Sequence, residues 1–497
     1  YTNAHYSLGI VLQELGQLDK AVETYQKAIA IRPDHAEANF NLGNALKELR
    51  QLDEAVASYH KALDIKPDYA EVHGNLGNAL RELGQLDEAV ASHHKALNIN
   101  PYFVEAHINL GNVFKELGKL DKAVDSYRRA IEIQPDFAEG YCSLGIVLGE
   151  LGQLDEAVSS YDKALTIKPD YVEAHCNLGA TFRELGQLER SVASSHKALA
   201  INPDFAEAHF NLGTAFQNLK RPNDAVVCYQ KSIEIKPDYA TAHNNLGTAL
   251  QELGGVEEAV INYQKALVIN SGFAEAHANL GNVNRKLGRL DDAVVSYHKA
   301  LVYQPEYAEA HNNLGNALRQ LTRFEEAIVN YKKAIALKPG YAKAHYNLGN
   351  TYSDVGNNYG AIDCYTKAIA NKPDYAKAHN NLAIAHRNVG NLSESVEAYK
   401  KAIYFQPDFF AAHYNLANVL QDQGKFQESA ASYEEALTFN PNDSEALEGL
   451  GDALLKMGHH RAGLEHKRVG KGVLEIDNNG NATPNLRHGI NSVQSCR

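Results

Sequence analysis

Glycine returns at one fixed interval along almost the whole chain. It stands at Gly9, Gly43, Gly77, Gly111, Gly145, Gly179, Gly213, Gly247, Gly281, Gly315 and Gly349, and Ala383, Ala417 and Gly451 continue the phase. These are fourteen registers 34 residues apart, with no insertion. Proline keeps a second phase independently, at Pro33, Pro67, Pro101, Pro135, Pro169, Pro203, Pro237, Pro305, Pro339, Pro373, Pro407 and Pro441. A chain of 497 residues would ordinarily divide into several unrelated globular domains. Self-similarity at this period replaces that expectation with a stack of one small unit.

Residues 308–341, AEAHNNLGNALRQLTRFEEAIVNYKKAIALKPGY, represent the unit. Two stretches of helical periodicity flank a short turn that usually carries glycine, as at Gly84, Gly118 and Gly152. Such a glycine suits the left-handed position that ends a helix. A Pro-Asp pair then stops the second helix, because proline cannot continue it. The aspartate often has glutamate three residues on: Asp68 with Glu71, Asp170 with Glu173, Asp204 with Glu207. That is capping-box spacing, so the aspartate is expected to cap the next helix, for on the order of 1 kcal/mol. Small residues mark where helices touch: the glycine phase, Ala55, Ala89 and Ala123, then Ala62, Ala96 and Ala130. Leu76, Leu110 and Leu144, with Tyr59, Tyr127 and Tyr161, fill the space between.

One such pair of helices buries too little surface to offset its ordering entropy. Stacked pairs share a continuous core, and stability becomes a sum of nearest-neighbour contributions. The expected fold class is therefore all-α, a solenoid of about fourteen 34-residue helix-turn-helix repeats over residues 1–470. The last repeat is degenerate, with Gly463 and Gly470 in its small phases and Lys467 in its tyrosine phase. Residues 471–497 form a C-terminal tail, where VLEIDNNGNATPN alternates around Asn479-Gly480 as a short hairpin does.

The net charge of -13 argues against nucleic acid, which needs a basic face. No run of about eighteen apolar residues offers a membrane span. The opening residues already fit the repeat, so no leader peptide is read there, and the missing initial methionine fits a processed form or a fragment. Cys142, Cys176, Cys228, Cys364 and Cys496 are an odd, dispersed set without a CxxC pair. They read as small buried or half-buried residues, with a reducing compartment slightly favoured. Asn391-Leu392-Ser393, Asn442-Asp443-Ser444 and Asn481-Ala482-Thr483 match the N-glycosylation pattern and matter only in an exported protein.

Small residues, tyrosine, alanine and proline at these phases, over residues 2 to about 470, resemble the tetratricopeptide repeat family. Within it, units such as EAHNNLGNALRQL and DYAEVHGNLGNALRELGQLDEAVASHHKAL are most similar to the long repeat region of O-linked N-acetylglucosamine transferases. The resemblance implies a right-handed superhelix whose first helices line a concave channel, where a ladder of asparagines holds the backbone of an extended peptide. The equivalent phase here carries Asn41, Asn75, Asn109, Asn177, Asn211, Asn245, Asn279, Asn313, Asn347, Asn381 and Asn415, broken by Ser7, Ser143 and Gly449. A carboxamide donates and accepts at once, so it grips any peptide unit while ignoring sequence. The alternative is a structural ladder that bonds only within its own repeat.

Two residues earlier runs a histidine column: His73, His107, His175, His209, His243, His277, His311, His345, His379 and His413. Rungs about 8–10 Å apart cannot converge on one metal ion, so the column reads as packing and no metal or cofactor is expected. The family's carboxylate clamp needs lysine just before the ladder asparagine. That position holds Phe40, Gly74, Ile108, Cys176, Phe210 and Asn244, which disfavours an acidic chaperone tail as partner.

No metalloprotease, Walker or nucleophile-elbow motif occurs, so the chain reads as non-catalytic. Gly470-Lys471-Gly472 lacks the strand a phosphate loop needs, and Asp477, Asn479 and Asn481 lack the turn glycine and closing glutamate of a calcium loop, with Ala482 and His488 there instead. The leading expectation is a protein–protein interaction scaffold that binds extended polypeptide in its groove. One alternative is a structural protein joined head-to-tail into a filament, since residues 456–497 carry net +4 against -17 for the rest. Another is the N-terminal targeting region of a larger glycosyltransferase.

Overall fold

The computed structural model describes residues 1–472, 474–476 and 482–484. Among these are 28 helices in fourteen consecutive pairs. The chain forms two compact units, Tyr1–Ala259 and Val260–Arg497, and each is assembled the same way. In the first, a leading helix Ala70–Glu82 of 13 residues is followed by a trailing helix Leu86–Ile99 of 14. In the second, Ala308–Gln320 and Phe324–Leu337 have the same lengths. The all-α architecture read from the 34-residue step is what the structure has.

The helix ends follow from local chemistry. Gly84 adopts φ +77°; its N–H reaches the Arg81 carbonyl, and the Gln85 N–H reaches that of Leu80, both at 2.9 Å. These two bonds satisfy carbonyls that the ending helix would leave bare. Arg50, Lys220 and Thr322 hold the same left-handed conformation without being glycine, at φ 61°, 59° and 57°. At the other end of the unit, the residue before proline is pushed out of the helical region, as at Lys66 (φ -131°, ψ 87°) and Lys338 (φ -135°, ψ 85°).

The expected aspartate caps are not formed. The N-cap positions after Asp68, Asp170 and Asp204 are Tyr69, Tyr171 and Phe205, and none makes a side-chain cap bond. Packing claims this position instead: the Tyr69 ring lies 5.3 Å from that of Phe40 in the preceding leading helix. An aromatic contact between repeats outweighs a cap on an exposed helix end. Side-chain caps occur at His35, Asn357 and Asp443.

Inside most pairs, a tyrosine of the trailing helix packs against the glycine of the leading one. Tyr59, Tyr127, Tyr297 and Tyr331 are wholly buried. A Cβ on Gly43 would meet the Tyr59 ring at 2.6 Å, and one on Gly315 the Tyr331 ring at 2.7 Å. Ala383 and Ala417, opposite Tyr399 and Tyr433, show that one methyl is accommodated when the ring gives way. Leu76, Leu110, Leu144 and Leu314 complete the buried layer with alanines of the trailing helices. Successive leading helices are also linked at their C-terminal ends by ion pairs 35 residues apart, including Lys115–Glu150 at 3.5 Å and Arg387–Asp422 at 2.7 Å. Each is exposed and individually weak.

Cys142, Cys176, Cys228 and Cys364 are buried free thiols, and burial pushes Cys228 and Cys364 up to about 11. Near the C-terminus, Leu474–Ile476 pairs antiparallel with Ala482–Pro484, Glu475 opposite Thr483. The Asn479-Gly480 turn, Asp477, Asn481, His488 and Cys496 lie outside the described residues.

Gly315→Leu should destabilise its repeat by roughly 1–3 kcal/mol through overpacking against Tyr331, while Gly315→Ala should cost less. Amide hydrogen exchange across residues 308–341, compared between the two variants, measures the difference.

Candidate functional site

The ladder phase falls on the leading helices, four residues after their second position. Every ladder asparagine is half-buried except Asn347, which is 9 % exposed and counts as buried. Several of their amide groups are already engaged. Asn75 Nδ2 donates to Asn44 Oδ1 at 2.9 Å, and the Tyr59 hydroxyl donates to the same oxygen at 2.8 Å. In the second unit, Asn282 Oδ1 receives Asn313 Nδ2 and the Tyr297 hydroxyl at 3.0 and 2.8 Å. Asn350 Oδ1 receives Asn381 Nδ2 and the Tyr365 hydroxyl at 2.9 and 2.8 Å. A ladder rung thus reaches back 31 residues to an asparagine that the core tyrosine holds. Other rungs use a 35-residue step: Asn41 to the Tyr6 hydroxyl at 3.1 Å, Asn211 to the Cys176 carbonyl at 3.3 Å, and Asn347 to Asn312 Oδ1 at 2.9 Å.

The bonds therefore join neighbouring repeats, where the structural alternative placed them within one. They also place the ladder on the face where successive leading helices lie side by side. A primary amide has two N–H groups and a carbonyl with two lone pairs, so a rung that spends one N–H on its neighbour keeps further capacity. In some repeats the preceding residue takes part of it, as Asn312 Nδ2 does on Asn313 Oδ1 at 3.1 Å and Asn380 on Asn381 at 3.0 Å. The ladder ends at Gly449 for a steric reason: a Cβ there would collide with the Tyr433 ring. Sequence reasoning passed over the second asparagine column, Asn44, Asn112, Asn282, Asn316, Asn350 and Asn418. The signal available for it was a tyrosine 15 residues later in each case.

The histidine column clasps the turn before each leading helix. Nε2 of His73, His107 and His175 donates to the carbonyls of Pro67, Pro101 and Pro169 at 3.0 Å. His311, His379 and His413 do the same to Pro305, Pro373 and Pro407 at 3.1, 2.9 and 2.9 Å. A carbonyl only accepts, so the proton sits on Nε2. No group of three metal-ligating side chains occurs among the described residues, and none of their helices is long and apolar enough to cross a membrane.

One repeat breaks the tyrosine pattern informatively. His93 replaces the tyrosine and is wholly buried. Its two ring nitrogens, and Asn78 Oδ1 where the tyrosine hydroxyl would bond, have no partner among the described residues. Burial, with smaller contributions from Arg81 and His94, lowers the imidazole to about 4.

Ten segments match the family model described as TPR repeat: residues 11–49, 43–80, 77–118, 111–152, 148–182, 181–220, 252–288, 281–321, 315–356 and 385–424. Two models described as Tetratricopeptide repeat match 206–239, 342–375 and 410–443, and 228–261 and 364–397. The chain belongs to the tetratricopeptide repeat family, whose repeats typically build scaffolds for protein–protein interaction. Similar solved structures include "Crystal structure of APC/C hetero-tetramer Cut9-Hcn1", with 16% identity, TM-score 0.48, and coverage of 91% of this chain and 96% of that one. "Crystal structure of MamA protein" shows 30% identity, TM-score 0.32, and coverage of 34% and 92% respectively. No curated protein matches the sequence.

A histidine whose folded value lies below its unfolded value of about 6.5 takes up its proton more readily on unfolding. The stability it supports is present above pH 6.5 and is lost as pH falls toward 4. Burial lowers His73, His277 and His379 in the same direction. Chemical denaturation should show the protein less stable at pH 5 than at pH 7.5. His93→Tyr, whose hydroxyl can donate to Asn78, should shrink that loss by about 2 kcal/mol.

Proposed function

We propose that the chain is a scaffold that holds extended polypeptide by its backbone along the face of its leading helices. One observation carries the reading: carboxamides, nearly all half-buried, recur on that face through most repeats, and Asn41, Asn75, Asn211, Asn313, Asn347 and Asn381 are each tied through the amide nitrogen to the preceding repeat, with donor and acceptor capacity to spare. Leading helices follow one another at about 10 Å, which an extended chain covers in about three residues at 3.3 Å each. A rung can therefore meet every third peptide unit without reading side chains. Pre-positioning by the inter-repeat bonds spares the rungs much of the ordering cost of binding.

Peptides selected from a random 15-residue display library against the purified protein test this. They should share no side-chain motif, and N-methylation of alternate backbone amides should abolish binding. Replacing Asn109, Asn177 and Asn211 with alanine should weaken them roughly a hundredfold, at about 1 kcal/mol per lost bond. Binding that survives both changes removes the reading.

A further inference from the structure

Most leading helices carry glutamate at their second residue, and in three repeats a lysine just after the following trailing helix answers it. Lys168 pairs with Glu139 at 3.4 Å, Lys236 with Glu207 at 3.0 Å and Lys338 with Glu309 at 3.2 Å, each 29 residues apart. Two adjacent repeats in the second unit reverse the sign. Helices Ala342–Asp354 and Ala376–Asn388 carry Lys343 and Lys377 at that position and have no acidic residue in their first turns. The lysine 29 residues after Lys343 is retained as Lys372, so two ammonium groups stand where other repeats place an ion pair. All three lysines are exposed. None forms an ion pair among the described residues, whereas Lys367, nearby, pairs with Asp363. Lys372 lies 5.4 Å from the centre of the Tyr375 ring.

This arrangement works against local stability. Cations in a first turn oppose the positive end of the helix dipole, and like charges in contact repel. The surroundings do not compensate, because residues 332–401 carry net +5 in a chain of -13. Lys343 and Lys377 each lie four residues before a rung, Asn347 and Asn381, and so share its helical face. The Tyr346 hydroxyl, on the first of these helices, receives Asn381 Nδ2 from the second at 3.1 Å.

We infer that Lys343, Lys372 and Lys377 form a subsite for a short acidic stretch of the polypeptide held on the ladder. This rests on the backbone-holding reading above and adds a charge preference to it. Ammonium groups on leading helices about 10 Å apart match carboxylates three residues apart in an extended chain. Glu309 before the window and Glu445 beyond it restore acidic rungs on either side. A long polyanion would run onto like charge there, so the partner is a polypeptide with a local acidic run.

The probes are a fluorescein-labelled (Gly-Ser-Glu)4 peptide, its glutamine counterpart (Gly-Ser-Gln)4, and a single-stranded oligonucleotide of equal charge, titrated into the full chain by anisotropy. At low salt the glutamate peptide should bind at least tenfold tighter than the glutamine one, with the advantage fading as salt is added. Lys343→Glu with Lys377→Glu should erase that advantage while melting no lower than the parent, since the carboxylate introduced at the first of these positions can pair with Lys372. A lysine pair that served only the fold would lower the melting temperature and leave the peptide preference intact. Equal binding of both peptides, unchanged in the double variant, overturns the subsite but spares the ladder reading, which N-methylation judges separately. Failure of the glutamate peptide to bind, or tighter binding of the oligonucleotide, also overturns it.

Discussion

A tyrosine ring laid on the bare backbone of a glycine is the contact on which the rest of this protein depends. Two helices approach closely enough for that only where the leading one carries glycine or, at Ala383 and Ala417, a single methyl, so the small-residue phase is fixed by sterics. The ring then fills the space that neither helix could close alone. Its hydroxyl emerges on the far side among the asparagines, where it finds an acceptor such as Asn44, Asn282 or Asn350. Core packing and the polar face are thus two ends of one side chain.

This explains how a structural ladder can also serve the proposed backbone-holding role. An asparagine that merely protruded would lose rotamer freedom on meeting a ligand. In rungs such as Asn75, Asn313 and Asn381 the neighbouring repeat has already fixed the amide, and one N–H is left over. The histidines have a different task. Each pins the turn that precedes its helix, setting where the leading helix begins and hence where its rungs stand.

Much of this was legible in the sequence, for identifiable reasons. The step of 34 without insertion fixes the helix pairs, and Gly84 or Pro67 marks an end because left-handed backbone and a missing N–H have few substitutes. The aspartate caps misled because capping preference is local while Tyr69 answers to Phe40, a residue of another repeat. The inter-repeat bonds of the ladder were hidden for a related reason. A 31-residue offset is not a period of the sequence, and it appears only when two leading helices are laid side by side. The lysines at 343 and 377 were visible as letters, yet their meaning required knowing that Glu309 has a partner at Lys338.

The shared acceptor also links positions distant in sequence. Asn44 receives from both Tyr59 and Asn75, so removing it strands a donor in each of two repeats, while removing either donor leaves the other bond standing. The chain contains such an accident within itself. With His93 in the tyrosine's place, Asn78 loses its donor; with Ser195 there, the acceptor column is already Ala180 and Asn211 turns to Cys176 instead. The acceptor is accordingly the position whose loss is felt in two repeats at once, whereas a tyrosine can change alone, as His93 did with Asn78 and Asn109 still in place.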